Sequence, residues 1–526
     1  MEALQTPLVE TPLAAHSSGS TAWREEEKEA RSAQVENIHN MLALFGPAFV
    51  RTRRFWVGVA AAVFAGLVLG GVGLGFFNFF EELSKLLWCT DVYKNSTKHN
   101  YARGDGRPRG LSVGNNATGE WGAAEADFYY VLMGALGGLA VGAIKLLWTG
   151  LFYEFPAAPP SLFVELKDLQ CHHPSIAVPV LFCSAVGLAC GASVGPEAAL
   201  GAAGAAVGTV LGRCLKSDPS RPNRVGLYAL IGMAASFGPL LPSPILAVML
   251  LHELGFASLE RSSRASLSTS FMELVTLTGI GASVSFALFT QLKDLTFLET
   301  VNIPPAKIGV RESWTKYLAP AVGIGLISGL VGFCGILFLG IGKKLGECTQ
   351  KALTRLGAAC GGRYTGVLLT PCIGGALFGL IAHFFPMTLG DGNAQLGSVI
   401  GNVFLRTYSA NYLIALAFAK LAALGVALGF GFIGGQIFPM VFAGACVGVA
   451  VTMITGLNFL VSVPCALVAV PCAFTPCIFT LVGLVSVMLA LGGAATGPPF
   501  VAAIVSYCTV SGVGIIQRVM QRQLER

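Results

Sequence analysis

Between residues 55 and 504 the chain is a succession of long apolar stretches, many of them cut by glycine and proline. They cover residues 55–80, 128–151, 176–211, 225–251, 271–289, 317–339, 367–385, 413–430, 437–457 and 461–504. A helix crosses the hydrocarbon of a bilayer in about 20 residues. Open-chain backbone at that depth has to be helical, because no water is there to satisfy N–H and C=O groups. Several stretches are too long for one span and too short for two, and others carry Gly-Pro breaks. Tilted and discontinuous helices are therefore expected rather than a regular bundle, in an all-α, multi-pass integral membrane protein.

Composition closes the alternatives. Only 12% of the residues are charged, against about 25% for a soluble domain, and 54% are hydrophobic. The 66 glycines follow no Gly-X-Y period and are too many for a coiled coil or a helical repeat. The net charge of +6 gathers at the edges of the apolar stretches and is no nucleic-acid footprint. Most of the 14 cysteines, Cys183, Cys190, Cys334, Cys446, Cys465, Cys472 and Cys477 among them, lie inside apolar runs without CxxC spacing, and read as small hydrophobes. No metal or cofactor is expected.

Residues 1–54 form a hydrophilic tail ending in Arg51, Arg53 and Arg54, which places it on the cytoplasmic side. The first apolar run comes too late for a cleavable leader. The membrane domain is expected over 55–516, in two halves at about 55–260 and 271–516, followed by a short basic tail, 517–526. No soluble regulatory domain is expected. The basic segments Arg213–Arg224, Lys343–Arg363 and Arg518–Arg526 should share the side of Arg51–Arg54. The polar loop 89–127 carries sequons at Asn95 and Asn116, candidate glycosylation sites that point to the opposite face. Its own lysines and arginines argue the other way, but one preceding span places it outside. Which membrane holds the chain is left open.

Two segments about 240 residues apart look alike. Gly195-Pro196-Glu197 opens one Ala/Gly-rich helix, and Gly434-Gly435-Gln436-Ile437-Phe438-Pro439 opens another. Each is followed by a second break, Pro242-Ser243-Pro244 in one half and Gly497-Pro498-Pro499 in the other. Paired interruptions in two halves point to a transport site near the midplane. A helix that begins inside the membrane exposes unpaired N–H groups and the positive end of its dipole, and the natural partner is an anion. Two such ends attract an anion without holding it as tightly as a full cation would. Glu197, in the first turn of one of them and among apolar neighbours, is read as a competing anion: ionised it fills the site, protonated it leaves. Burial favours its neutral form and the helix end its charged form.

The segment Ser193-Val194-Gly195-Pro196-Glu197-Ala198-Ala199 resembles the G-[RKP]-E-[GA]-P element of CLC chloride channels and chloride/proton exchangers, and Gly434–Pro439 resembles their G-x-F-x-P element. The stretch Gly232–Ser236 through Pro244 to Glu253 is similar to the helix pair before their dimer interface. The likeness covers about residues 50–515, with both motifs in the right order. It implies an inverted-repeat fold and a homodimer with one anion pathway per subunit. Glu197 would be the external gate and Glu253 a candidate for proton passage. The anion site would be formed by Gly195, Pro196, Glu197, Ala198, Gly435, Gln436, Ile437 and Phe438, with a hydroxyl from Ser161. Ala199 departs from the motif's proline, Ile437 stands where the family has a phenylalanine, and Leu254 takes the place aligned with the inner proton glutamate. No residue is assigned to the pore tyrosine.

Channel and proton-coupled exchanger, and chloride, nitrate and fluoride, all stay open at this level. An intramembrane enzyme is the rival class; it needs paired catalytic side chains at mid-depth, and the sequence offers only lone ones. Asp391-Gly392-Asn393 reads as a turn. Small residues at helical spacing (Gly134, Gly138, Gly142; Gly204, Gly208, Gly212; Gly325, Gly329) mark close helix contacts in lipid.

Overall fold

The computed structural model describes residues 50, 52–88, 128–151, 171, 173–215, 224–258, 271–293, 314–359 and 364–511. Among these residues fifteen α-helices follow one another and no strand occurs: α1 (Arg53–Trp88), α2 (Tyr129–Leu151), α3 (Ala177–Ala189), α4 (Glu197–Cys214), α5 (Arg224–Phe237), α6 (Pro244–Ser258), α7 (Phe271–Leu292), α8 (Leu318–Ala359), α9 (Thr365–Phe384), α10 (Asn393–Leu405), α11 (Ala410–Gly429), α12 (Ile437–Thr455), α13 (Phe459–Cys472), α14 (Ile478–Met488) and α15 (Gly497–Ser511). Eight helical segments are long and apolar enough to cross a membrane, and five apolar ones are shorter. The candidates Ser161, Asn95 and Asn116, both termini and the loop 89–127 lie outside the described residues.

The breaks fall where glycine and proline put them. Pro244 opens α6, and Gly497-Pro498-Pro499 opens α15, positions where a missing N–H removes no helical bond. The apolar stretch 176–211 is split into α3 and α4 around Gly191 and Gly195. The stretch 461–504, expected to carry one break, is three helices, with a second interruption at 473–477 that no Gly-Pro pair announces. Conversely, Pro464 and Pro471 sit inside α13 without ending it.

The element order repeats. A long helix, α1 or α8, is followed by α2 or α9; then α3–α7 run parallel in order to α11–α15, and the same neighbours touch in each set. The helix α1 packs on α7 as α8 does on α15, α4 on α5 as α12 on α13, and α5 on α7 as α13 on α15. The contact between α2 and α9 joins the two sets. At 42 residues, α8 is roughly 60 Å long, about twice the hydrocarbon thickness.

The glycine stripes are the packing seams. A Cβ on Gly134, Gly138 or Gly142 would run into the carbonyls of Gly375, Pro371 and Leu368 on α9. Gly204 and Gly208 face the carbonyls of Gly232 and Tyr228 on α5, and Gly325 faces that of Ala502 on α15. Backbones this close gain dispersion contacts and weak Cα–H···O contacts where no hydrophobic effect acts between helices. Gly138→Leu should therefore prevent α2 from seating on α9 and shift the purified protein from a monodisperse peak to aggregate on size exclusion. Gly71→Ala, whose Cβ meets nothing within 4 Å, should leave the profile unchanged.

Candidate functional site

Both broken-helix entrances are built the same way, 240 residues apart. At the end of α3, Ala192 N donates to Gly187 O and Gly191 N to Leu188 O; at the end of α11, Phe432 N donates to Ala427 O and Gly431 N to Leu428 O. These are the paired bonds of a Schellman ending, with its left-handed glycine at Gly191 (φ 91°) and Gly431 (φ 94°). The shared geometry turns the chain sharply and aims the next helix back into the molecule. The helices α4 and α12 then begin at Glu197 and Ile437, each after a residue that caps with no side-chain hydrogen bond, Pro196 and Gln436.

The two entrances meet. Gly195 N donates to Gly435 O at 2.7 Å, and Gly435 N donates to Gly195 O at 2.6 Å, an isolated antiparallel bridge between the halves. Glu197 lies across it and is 3% exposed. Its Oε1 accepts from the Phe438 N–H, in the first turn of α12, at 3.1 Å. Its Oε2 has no hydrogen-bond partner among the described residues. It lies against the Cα positions of Gly195 and Gly435, where any Cβ would strike it first. The carboxylate of one half thus sits on the positive helix end of the other. A negative group held by backbone N–H donors, with glycine on two sides, has the surroundings that a small anion requires.

The remaining expected residues fall around this point. Gly195, Pro196, Gly435, Gln436, Ile437 and Phe438 line the meeting place, and Ala198 follows in the first turn of α4. Glu253 does not join them. Near the end of α6, its Oε1 accepts from Phe479 N at 2.7 Å and its Oε2 from Thr480 N at 2.8 Å, with a further bond from the Thr480 hydroxyl. It closes the first turn of α14 from a different helix, an arrangement that satisfies orphan donors and complements the helix dipole.

Two buried lysines escaped the reading of the sequence. Lys145 of α2 donates to Gly431 O, behind the α12 entrance. Lys420 of α11 is fully buried and donates to Thr388 O at 2.9 Å and Gly390 O at 2.6 Å, with Phe442 of α12 under its ammonium, 5.1 Å from the ring centre. Gly390 N in turn donates to Gly191 O at 3.0 Å, behind the α4 entrance. Each lysine therefore ties down the loop that leads into, or abuts, one broken helix. Neither belongs to a spacing motif. The only available signal was a lone cation at mid-span, which is costly unless it has a use.

Known proteins resemble the chain in the same terms. The profile of the voltage-gated chloride channel family matches residues 165–520, and the chain belongs to that family. Among solved structures, a slow cyanobacterial Cl−/H+ antiporter aligns with a TM-score of 0.64 at 16% identity, over 89% of this chain and 98% of its own. A CLC-type fluoride/proton antiporter aligns at 0.54 and 16% identity, over 86% of this chain and 94% of its own. An Escherichia coli protein with a provisional ion-transport name, YfeO, is 27% identical over 62% of this chain and 68% of its own length. The fold is thus the inverted-repeat, discontinuous-helix architecture of that family. The chain is an integral, multi-pass membrane protein for ion transport.

Proposed function

We propose that this chain carries chloride across the membrane through the meeting point of α4 and α12, with the Glu197 carboxylate as the gate. The observation that carries the reading is the seat of that carboxylate: it crosses from the first turn of α4 to the Phe438 amide in the first turn of α12. An anion and the ionised carboxylate compete for the same donors. Protonation removes the charge that the helix end holds, frees the side chain and leaves the donors to the anion. Glycine at 195 and 435 makes room for a partner of about a carboxylate oxygen's size, which suits a halide.

The test is anion efflux from liposomes loaded with chloride. Wild-type flux should rise as the pH falls. Glu197→Ala should keep the flux and flatten its pH dependence, and a variant that retains the wild-type profile overturns the reading. Nitrate and fluoride loaded in parallel rank the substrates. Turnover of peptide substrates by the purified protein, without flux, would point to the enzyme class instead. We further infer a homodimer with one pathway per subunit, as the family resemblance implies; single-molecule photobleaching of the labelled protein in liposomes counts the subunits.

A second reading couples the anion to protons moving the other way. It requires an inner proton carrier, for which Glu253 is the candidate residue. Its oxygens are engaged on α14, which favours uncoupled flow. Simultaneous chloride and proton flux measurements separate the two: proton uptake against its gradient, driven by chloride, establishes exchange.

A further inference from the structure

The helix α8, 42 residues long, outruns the hydrocarbon of a bilayer, and its two ends have different surroundings. Over the span, Leu326, Leu330, Leu337, Ile341 and Leu345 make one exposed apolar stripe, the face that meets acyl chains in a membrane. The other faces are locked. A Cβ on Gly342 or Gly346 would strike the carbonyls of Gly425 and Gly429 on α11, and one on Gly366, in the first turn of α9, would strike Thr354 and the Gln350 carbonyl. The apolar α9 has 20 residues, the length of one span. Residues 350–354 of α8, which meet its first turn, therefore lie level with one surface of the hydrocarbon.

At that level the lipid-facing stripe changes character. Lys344, Lys351 and Arg355 fall along one edge of it, in a row about 16 Å long, while Leu345, Ala352 and Leu356 continue its apolar side; all six are exposed. Among the described residues none of the three cations is in an ion pair. The carboxylate between them in sequence, Glu347, is half-buried and has contacts of its own. A second copy of the chain seated face to face here would set cation against cation. A lipid matches both parts of the face: acyl chain beside the leucines, and a negative headgroup at the tips of side chains whose stems lie along the apolar surface.

We propose that the segment of α8 from Lys344 to Leu356 is a binding site for anionic phospholipid, in the leaflet on the side that the basic segments share. Lys344, Lys351 and Arg355 hold the phosphate, and Leu345 and Leu356 carry the acyl chain. Arg355 offers a planar fork that suits phosphate oxygens, and the two lysines act as mobile point charges. The site faces away from α9 and α11, and it stands independently of the α4–α12 junction as an anion seat.

The test titrates the purified full-length protein, in neutral detergent, with phosphatidylglycerol or phosphatidylcholine and reads bound lipid by native mass spectrometry. The wild type should bind phosphatidylglycerol roughly tenfold more tightly than phosphatidylcholine. The triple variant Lys344→Gln, Lys351→Gln, Arg355→Gln should lose that preference, and the charge-keeping triple Lys344→Arg, Lys351→Arg, Arg355→Lys should retain it. Leu345→Gln with Leu356→Gln should weaken both lipids alike. All these positions are exposed, and an unchanged size-exclusion profile shows that each variant is folded. The site falls if the wild type binds the two lipids equally, or if the glutamine triple keeps its preference within about twofold of the wild type. It also falls if millimolar inorganic phosphate displaces phosphatidylglycerol as completely as added phosphatidylglycerol does, since the cations then hold a soluble anion and not a lipid.

Discussion

Replacing Gly195 with alanine should flatten the pH dependence of transport and also slow the flux. The three atoms nearest to a Cβ built on Gly195 are Oε2, Cδ and Oε1 of Glu197, all at the far end of a flexible side chain. The backbone of Gly195 is not in the left-handed region, so alanine is allowed there without strain. The cheapest relief is for the carboxylate to leave the seat, giving up its hydrogen bond from Phe438 N. Hydrogen bonds to a charged group contribute about 1.5–3 kcal/mol, so loss of this one shifts the occupied-to-vacant ratio of the seat by about tenfold or more. Gly195→Ala should therefore show the flattened pH dependence of Glu197→Ala but a lower chloride flux, because its Cβ takes the place of Oε2 whether or not the carboxylate is there, and the double variant should match Gly195→Ala alone. Efflux assays across a pH series read the result. A Gly195→Ala protein with the wild-type pH profile would show that the carboxylate is not displaced and that its seat is not the gate.

The same junction shows what a sequence of this kind discloses and what it hides. Gly195, Glu197, Gly435 and Pro439 stood out because a polar or helix-breaking residue inside an apolar run is rare, and because the break recurs. In the structure the recurrence is an offset of 240 at Gly191 and Gly431 as well as at the helix starts Glu197 and Ile437. The glycine stripes were legible for the same reason, since a period near four on a helix has few other causes. Asp391 and Lys420 were not. The partners of Lys420 are carbonyls 30 and 32 residues away, and that of Lys145 is 286 residues away. A backbone carbonyl has no letter in the sequence, so a lysine paired with one resembles a lysine with no partner. Asp391 read correctly as part of a turn, since its Oδ1 does accept from Asn393 N. The break at 473–477 was missed for a related reason: its one helix breaker is the lone Pro476, and the neighbouring Pro464 and Pro471 lie inside α13.

Glu253 separates stability from proton movement, and its removal should cost the protein more stability than most single changes at a surface. Its carboxylate meets the Phe479 and Thr480 amides and the Thr480 hydroxyl at the start of α14. The residue before that helix, Cys477, supplies no side-chain cap, so α14 relies on an acceptor from α6. Glu253→Ala leaves two amides and a hydroxyl to find other partners, a loss of about 2 kcal/mol once partial exposure is allowed for. Glu253→Gln keeps an acceptor oxygen but loses the charge that suits a helix N-terminus, and should fall between the two. Thermal unfolding in detergent should rank the proteins as wild type, glutamine variant, alanine variant. If the cap is all that Glu253 provides, chloride flux per folded protein stays the same in both variants and proton flux does not change. If Glu253 also passes protons, both variants lose proton movement equally while chloride still flows, although their stabilities differ. A ranking in which stability is untouched and transport is lost in both would remove the cap from the account, because an acceptor holding three donors at a helix start cannot be taken away without a thermodynamic trace.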